Sequence, residues 1–136
     1  MQDGEFVSKV MIPLPSADEE IASYKISKRF DQDISALCGA YRVLLDGDTI
    51  TDIKIAYGGM AAIPQRASSC EKALLGKEWS EEVVLQASSE LSNDFTPISD
   101  MRSSANYRQQ VAQNLLLRFF HETIHDGADR VYMYGR

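Results

Sequence analysis

Two histidines one helical turn apart lie in the sequence HETIH, at residues 121–125. They are the only histidines in the chain, and on a helix His121 and His125 would share one face. The pattern H-E-x-x-H holds zinc in metalloproteases, and its glutamate, here Glu122, would act as general base on a zinc-bound water. The motif therefore makes a zinc hydrolase one hypothesis for this chain.

The sequence around HETIH does not complete such a site. A catalytic zinc needs a third protein ligand and an open coordination position. No histidine follows His125, and only eleven residues remain after it, so the longer metalloprotease pattern is absent. Only Asp126 or Asp129 could supply a further ligand. We therefore predict structural or solvent-facing histidines and no tightly bound zinc.

The glycine pair Gly58-Gly59 also fails as a nucleotide-binding loop. The stretch GGMA lacks both the G-x-G-x-x-G spacing of dinucleotide loops and the G-K-[ST] ending of P-loops. We predict instead a strand exit at which the backbone passes close to another segment. Cys38 and Cys70 lie in no C-x-x-C spacing, which favours buried thiols in a reducing compartment.

Composition places the chain among globular domains and excludes several partners. The 136 residues are 44% hydrophobic and 25% charged, which predicts one domain over 1–136, with a core at about 5–124 and a partly disordered tail at 126–136. The net charge of −6 argues against nucleic acid and gives no support to docking on anionic lipid. No apolar run reaches the roughly 18 residues of a membrane span, and no signal peptide is evident, so we predict a cytoplasmic protein.

The elements that must position these residues divide the chain into two halves, and the first half has the pattern of strands. We predict a strand in FVSKVMIPLP, ended by Pro13 and Pro15, and a second in the alternating stretch IASYKISKR. The apolar run ISALCGAYRVLLDG fits a helix or a buried strand by periodicity alone. The turn signal at residues 46–48 and the alternation of TDIKIAY after it favour a hairpin.

The second half has the pattern of helices. SSCEKALLG predicts a short helix capped by Gly76, and Ser80 is a candidate N-cap for EEVVLQASSEL. A last helix over about residues 104–125 would bury a stripe formed by Tyr107, Val111, Leu115, Leu116, Phe119, Phe120 and Ile124. The predicted fold class is α+β, a small antiparallel sheet of three to four strands followed by three helices packed on one face.

Three segments in order carry a family resemblance: YKISKRFDQDISALCGAYRVLL, IAYGGMAAIPQRA and FTPISDMRSSANYRQQVAQNLLLRFF. Together they resemble the C-terminal domain of the flavoprotein subunit of molybdenum hydroxylases. Within that family, SDMRSSANYR and RFFHET look most like the FAD-binding subunit of bacterial xanthine dehydrogenases, and the CO dehydrogenase flavoproteins are next. The resemblance spans residues 5–124 and suggests a piece of a larger FAD module.

The resemblance implies a role in electron transfer. Such enzymes hydroxylate a purine at a molybdopterin centre in another subunit or domain, and electrons pass through [2Fe–2S] clusters to FAD and then to NAD⁺. The implied partners are a preceding FAD-binding domain, which holds most of the cofactor, a [2Fe–2S] domain and a molybdenum-binding subunit. Two cysteines are too few for a cluster of this chain's own. We therefore expect the chain alone to be inactive.

Two positions correspond to FAD contacts of the family. The resemblance places Val7, in the first predicted strand, near the flavin, and gives the Lys25 amine a hydrogen bond to the cofactor. The loop at residues 28–32 would lie near the flavin ring and influence NAD⁺ access, although Phe30 stands where relatives often have an arginine. From the residues alone, the charged run at Lys25 is by default a solvated turn. A further alternative is a non-enzymatic module that binds a partner through the bare face of its sheet.

Overall fold

The computed structural model describes residues 2–29 and 31–124. One antiparallel sheet has its strands in chain order. The strands are β1 (Glu19–Ile26), β2 (Leu37–Asp46), β3 (Thr49–Gly58) and the two-residue β4 (Gln65–Arg66). Four helices follow: α1 (Ser68–Leu74), α2 (Glu81–Ser89), the short α3 (Leu91–Asp94) and α4 (Ala105–Ile124).

The β2–β3 hairpin confirms the strand interpretation of the ambiguous apolar run. Asp46 pairs with Thr49 across a tight turn, and Gly47 there adopts a φ of 58°, a conformation that favours glycine. The alternation predicted for β3 also holds, because Ile53, Ile55 and Tyr57 are buried. Side chains of β3 therefore alternate between the core and the opposite surface of the sheet.

All four helices contribute to a core on one face of the sheet, which confirms the predicted α+β class. The core joins the inward side chains of β1, β2 and β3 to residues of every helix. Tyr41 of β2 stacks on Phe119 of α4 with 5.3 Å between ring centroids. The Tyr57 hydroxyl donates a 2.8 Å hydrogen bond to the Ala112 carbonyl of α4. These contacts fix α4 across one face of the sheet, and the described residues leave the other face uncovered.

The buried stripe of α4 differs in part from the predicted one. The structure buries Leu115, Leu116, Phe119 and Phe120, as predicted, but Tyr107 is 49% exposed and Arg108 only 3%. A stripe drawn every four residues drifts away from the true period of 3.6 residues, and the difference reaches one position at the start of this helix. The predicted start near residue 104 is correct, and His125 lies outside the described residues.

Both predicted helix signals in the middle of the chain are in place. Gly76 adopts a φ of 74° just after α1, where Lys77 N–H donates to the Leu74 carbonyl at 3.0 Å, so the glycine stands in a tight turn. Ser80 occupies the N-cap position of α2, although its side chain makes no capping hydrogen bond. Val84 and Leu91, in the same predicted helical stretch, are fully buried.

The first predicted strand is wrong. Residues 6–15 run as an irregular, exposed segment without a strand assignment. No hydrogen bond in the described part of the chain involves these residues. A strand requires a partner to pair its N–H and C=O groups, and none is present here. The tail predicted at 126–136 lies outside the described residues. No described helix is long and apolar enough to cross a membrane.

Candidate functional site

Lys25 lies on the uncovered face of the sheet, close to the end of β1. Its strand neighbour in the register is Cys38, and Cys38 in turn pairs with Gly58. Lys25 is exposed, and no hydrogen bond or ion pair within the described residues holds its ammonium group. The next row of the same face consists of Ser23, Ala40 and Ala56. Within the described residues, an unpaired ammonium group therefore lies beside a row of small side chains, which leaves room for a planar group carrying hydrogen-bond acceptors.

The opposite end of the uncovered face carries an ion-pair network instead. Arg42 of β2 binds Glu19 of β1 and Asp52 of β3, so a single guanidinium joins three strands. The hydrogen bond from Arg42 is the main reason that the pKa values of Glu19 and Asp52 lie below their ordinary values. Because its charges are already paired, this end is less suited than the Lys25 end to bind a polar ligand.

The loop after β1 is held in a defined shape by one carboxylate. Asp33 accepts a 3.0 Å hydrogen bond from the Arg29 backbone N–H and another from Ile34 N–H at 3.0 Å. The first of these bonds is the largest cause of a lowered pKa at Asp33. Gln32 takes a φ of 51°, which is rare for a residue other than glycine. Asp33 therefore holds the backbone of Arg29 and Ile34 together after β1.

A second loop, at residues 98–104, faces the first one. Asp100 accepts hydrogen bonds from the backbone N–H groups of Arg102 at 2.8 Å and Ser103 at 3.0 Å, and the Arg102 bond is the largest cause of its lowered pKa. The Ser104 hydroxyl accepts from Tyr107 N–H at 3.2 Å and so caps α4. Asp100 and Ser104 thus fix the loop and the helix start relative to one another.

A groove of about 490 Å³ separates the two loops. The Lys28 ammonium spans it and donates a 2.7 Å hydrogen bond to the Met101 carbonyl. Arg102 donates to the Ile34 carbonyl at 3.2 Å and so ties the loops together a second time. The lining residues are Ile26, Ser27, Lys28, Ala36, Asp100, Met101, Arg102, Ser103, Ser104 and Tyr107.

Arg108 of α4 joins the three segments that frame this groove. The guanidinium is buried and donates to the Ala36 carbonyl, to the Gly59 carbonyl at 2.8 Å and to Asp100 at 2.7 Å. Its Nε is a buried nitrogen without a hydrogen-bond partner in the described structure. Arg108 therefore fixes the end of the β1 loop, the glycine pair and the 98–104 loop as one unit.

The glycine pair confirms the prediction of a close backbone approach. Gly59 has a φ of 83°, and a Cβ on it would lie 2.7 Å from the Ala36 carbonyl oxygen and 3.1 Å from Arg108 Nη1. No side chain fits between these groups, so the position requires glycine. The pair contributes to the packing around Arg108, as a strand exit, rather than to a phosphate loop.

Among the described residues, neither Val7 nor residues 121–124 of HETIH line the groove. Val7 is 67% exposed on the unpaired segment, so its predicted strand is absent and its FAD contact stays a prediction. Glu122 accepts hydrogen bonds from the Tyr24 hydroxyl and from Arg118 Nε, each at 2.7 Å. This glutamate thus joins β1 to α4 in a packing role. Within residues 2–29 and 31–124, no group of three or more potential ligands could hold a metal ion.

Sequence reasoning missed Arg108 and its partner Asp100. Both residues lie in SDMRSSANYR, a stretch that carries the family resemblance but assigns no role to either charge. A usable signal was present, because Arg108 stands four residues before Ala112 and seven before Leu115, on the buried face of α4. A charged residue on a buried helix face requires partners, and the nearest acid in the preceding loop is Asp100.

Comparison with known proteins agrees with this architecture. The family of CO dehydrogenase flavoprotein C-terminal domains matches residues 22–123. The glyceraldehyde dehydrogenase medium chain of Sulfolobus acidocaldarius is 34% identical over 119 residues, which are 88% of this chain and 42% of that protein. The xanthine dehydrogenase of Emericella nidulans is 31% identical over 122 residues, 87% of this chain and 9% of that protein. The chain thus spans less than half of the length of either relative.

A solved structure of carbon monoxide dehydrogenase from Hydrogenophaga pseudoflava shares the fold. It has a TM-score of 0.72 and 28% sequence identity, and the match covers 79% of this chain and 37% of that one. The segment matched by the family, residues 22–123, includes both loops of the groove and all four strands except the start of β1. This chain belongs to the family of CO dehydrogenase flavoprotein C-terminal domains, a part of the FAD subunit of molybdenum hydroxylases.

Proposed function

We propose that this chain is the C-terminal part of the FAD module of a xanthine dehydrogenase-type molybdenum hydroxylase. It would support electron transfer from [2Fe–2S] clusters through FAD to NAD⁺ while a purine is hydroxylated at a molybdopterin centre elsewhere. The single observation that carries the proposal is the exposed Lys25 ammonium, which no described residue pairs, on one sheet face of a domain from this family. The proposal includes the cytoplasmic location predicted from the sequence.

The described residues fit one side of a flavin and not the whole cofactor. Lys25 offers a charged donor, and the row of Ser23, Ala40 and Ala56 offers a surface that a planar ring can approach closely. In the described part of the chain, Gly58-Gly59 is occupied by packing against Arg108, so it gives no cradle for a diphosphate. This fit supports a preceding domain that holds most of the cofactor.

Bound FAD would supply the capacity to accept electrons and to pass hydride to NAD⁺. This chain's residues would bind and orient. The Lys25 ammonium would donate a hydrogen bond to an acceptor atom of the flavin ring, and the small side chains beside it would keep water from that side of the ring. Lys28 and Arg102 hold the two loops of the groove together, so the edge from which NAD⁺ would approach keeps a constant shape.

The choice of purine and of NAD⁺ is the finer part of the proposal. Similar proteins are named for glyceraldehyde, xanthine and carbon monoxide, so likeness to this domain alone does not select a substrate. The resemblance of SDMRSSANYR and RFFHET to bacterial xanthine dehydrogenase subunits supports the purine. The substrate would bind at the molybdenum subunit, which is one of the proposed partners.

Substitution of Lys25 in the intact flavoprotein tests the proposal. A charge-assisted hydrogen bond contributes about 1.5–3 kcal/mol, which corresponds to about ten- to hundredfold in FAD affinity. Lys25→Met keeps most of the stem's packing and removes the charge, so it should weaken FAD retention or NAD⁺ reduction. Purine oxidation by an artificial acceptor that draws electrons upstream of the flavin should be unchanged.

Lys54→Met is the matched control, because Lys54 is an exposed lysine on the same face, at the Arg42 end. It should leave both activities and the flavin content as in the wild type. If Lys25→Met also kept full flavin content and full NAD⁺-dependent turnover, Lys25 would be an ordinary solvated lysine. The proposed contact would then be wrong.

A further inference from the structure

Residues 6–15, called here the N-terminal segment, expose large apolar side chains that no other described part of the chain covers. Phe6, Val10, Met11, Ile12 and Leu14 are each at least 75% exposed. No hydrogen bond of the described structure reaches this segment. Six large apolar side chains within nine residues, counting Val7, form a contiguous surface of the kind that marks an interaction site.

The side chains of the segment have the spacing of a strand. In an extended chain, Phe6, Val10, Ile12 and Leu14 fall on one side with Ser8, whereas Val7, Lys9 and Met11 fall on the other. The first side is almost continuously apolar and the second is interrupted by a lysine. A strand with this pattern buries its first side in a core and leaves its second side only partly covered.

The chain's own sheet offers a poor partner for this strand. The free edge of β1 is the nearest one, and a hairpin closed by residues 16–18 would place Pro15 opposite Glu19 and Pro13 opposite Ile21. Proline has no N–H to donate to a ladder. The same register would place Lys9 opposite Lys25, where like charges are destabilising. The structure accordingly leaves this edge unpaired.

We propose that residues 6–12 form a strand at an open sheet edge of the region that precedes this domain in the longer flavoprotein, an inference that rests on the proposed function. Two findings point to this partner rather than to a second copy. The family match begins only at residue 22, so the segment lies outside the conserved domain. The Sulfolobus relative also has 58% of its length beyond the matched part, because the match covers 42% of it.

Pro13 and Pro15 then serve as a stiff connection between two sheets. Both prolines follow the last residue of the donated strand, and a turn at residues 16–19, in which Glu19 N–H donates to the Ser16 carbonyl at 3.2 Å, leads into β1. This short connection would hold β1, and Lys25 with it, at a fixed distance from the preceding region. The apolar side with Ile12 would be buried there, and the side with Val7 would be only partly covered.

Hydrogen exchange of the backbone amides tests the inference. In the 136-residue chain alone, amides of residues 6–12 should exchange as in an unstructured peptide, and deletion of residues 1–15 should leave the melting temperature unchanged. In the longer flavoprotein the same amides should be protected by about a hundredfold or more. Free exchange of residues 6–12 in the longer protein would overturn the inference, as would a clear loss of stability on deletion.

Matched variants of the longer flavoprotein separate the two sides of the strand. Ile12→Asp should reduce the protection of the neighbouring amides at least about tenfold, because it buries a charge, whereas Lys9→Asp should leave it unchanged. Equal effects of the two variants would contradict the proposed orientation. Protection that appears in the chain alone, together with dimerisation, would show pairing with a second copy and overturn the inference.

Flavin content separates this inference from the proposed function. Protected amides in a protein without flavin would leave the donated strand standing and refute the FAD role. Bound flavin with freely exchanging amides would do the reverse.

Discussion

Replacing the buried Arg108 by methionine should be among the most destabilising single substitutions in this domain. The methionine keeps an apolar side chain in the buried position but leaves the carbonyl oxygens of Ala36 and Gly59 without their charged donor. Each orphaned buried acceptor costs about 1–3 kcal/mol. The Asp100 side chain is 35% exposed and keeps two backbone donors, so the loss of its ion pair adds little.

The two orphaned acceptors together give an expected total of about 2–6 kcal/mol, a large part of the about 5–15 kcal/mol that is typical for a whole domain. For a domain of this size the melting temperature should fall by about 10 °C or more. Arg108→Lys should be intermediate, because a single ammonium cannot reach three acceptors at the angles that the guanidinium fork provides. Urea unfolding followed by circular dichroism measures the loss in free energy of unfolding for both variants.

Arg29→Met is the matched control, because the Arg29 side chain is 71% exposed and its ion pair with Asp33 is a surface pair. It should cost no more than about 0.5 kcal/mol. An Arg108→Met protein as stable as the Arg29→Met protein would refute the reasoning that Arg108 joins the three segments of the groove. The m-value of the Arg108→Met protein should equal that of the wild type, because unfolding exposes the same surface in both.

Three further predictions concern backbone conformation, pH and metal. Gly59→Ala should lower the free energy of unfolding in urea by about 2–4 kcal/mol, because strain at positive φ adds to a clash with the Ala36 carbonyl. Gly47→Ala, which is at positive φ in open space, should lower it by only about 1–2 kcal/mol. Equal losses in the two variants would argue against the clash. The pKa of Asp100 lies below its ordinary value of 3.8 in the folded protein, so its contribution to the free energy of unfolding is present at neutral pH and is lost as the pH falls below 3.8 through the folded pKa. Asp100→Asn should therefore reduce the loss of stability at acid pH, measured as urea midpoints from neutral pH downward. An unchanged pH profile would contradict this prediction. The purified chain should carry no tightly bound zinc by elemental analysis, and about one zinc per chain, lost on changing His121 or His125, would revive the hydrolase hypothesis.

The parts of the fold that sequence predicts well are those that depend on local pattern. The alternation of β3 places Ile53, Ile55 and Tyr57 in the core, and a turn glycine identifies the hairpin without further information. Gly59 was also recognised as a point of close approach. Its neighbours Ala36 and Arg108 are not evident from the sequence, because these contacts join residues 23 and 49 positions apart along the chain.

The strand predicted at residues 6–15 failed for a different physical reason. Its alternation and β-branched residues are those of a strand, but strand formation depends on a suitable edge to pair with, and the described residues offer only the edge of β1, which suits it poorly. The local pattern and the isolated structure are both consistent with a segment that becomes a strand in a larger protein. The prediction was wrong for this chain, and it led to the inference about the longer one.

The candidate site could be predicted only in part. The resemblance points to Lys25 and to the loop at residues 28–32, and of these residues Lys28 lines the groove. The opposite wall, formed by Asp100 to Ser104, is positioned by Arg108 from the interior of the core. Charge pattern along the sequence gives no direct sign of such a buried link, because it says which groups are charged and not which of them meet.

The measurement that tests the central claim most directly is the flavin content of two proteins after gel filtration: this chain alone, and this chain joined to the region that precedes it. The account predicts a colourless chain alone and about one FAD per molecule of the joined protein, since one side of a flavin site cannot retain the cofactor. A yellow preparation of the isolated chain with equimolar flavin would contradict the division of the site between two domains. A joined, folded protein without flavin would contradict the assignment to an FAD module.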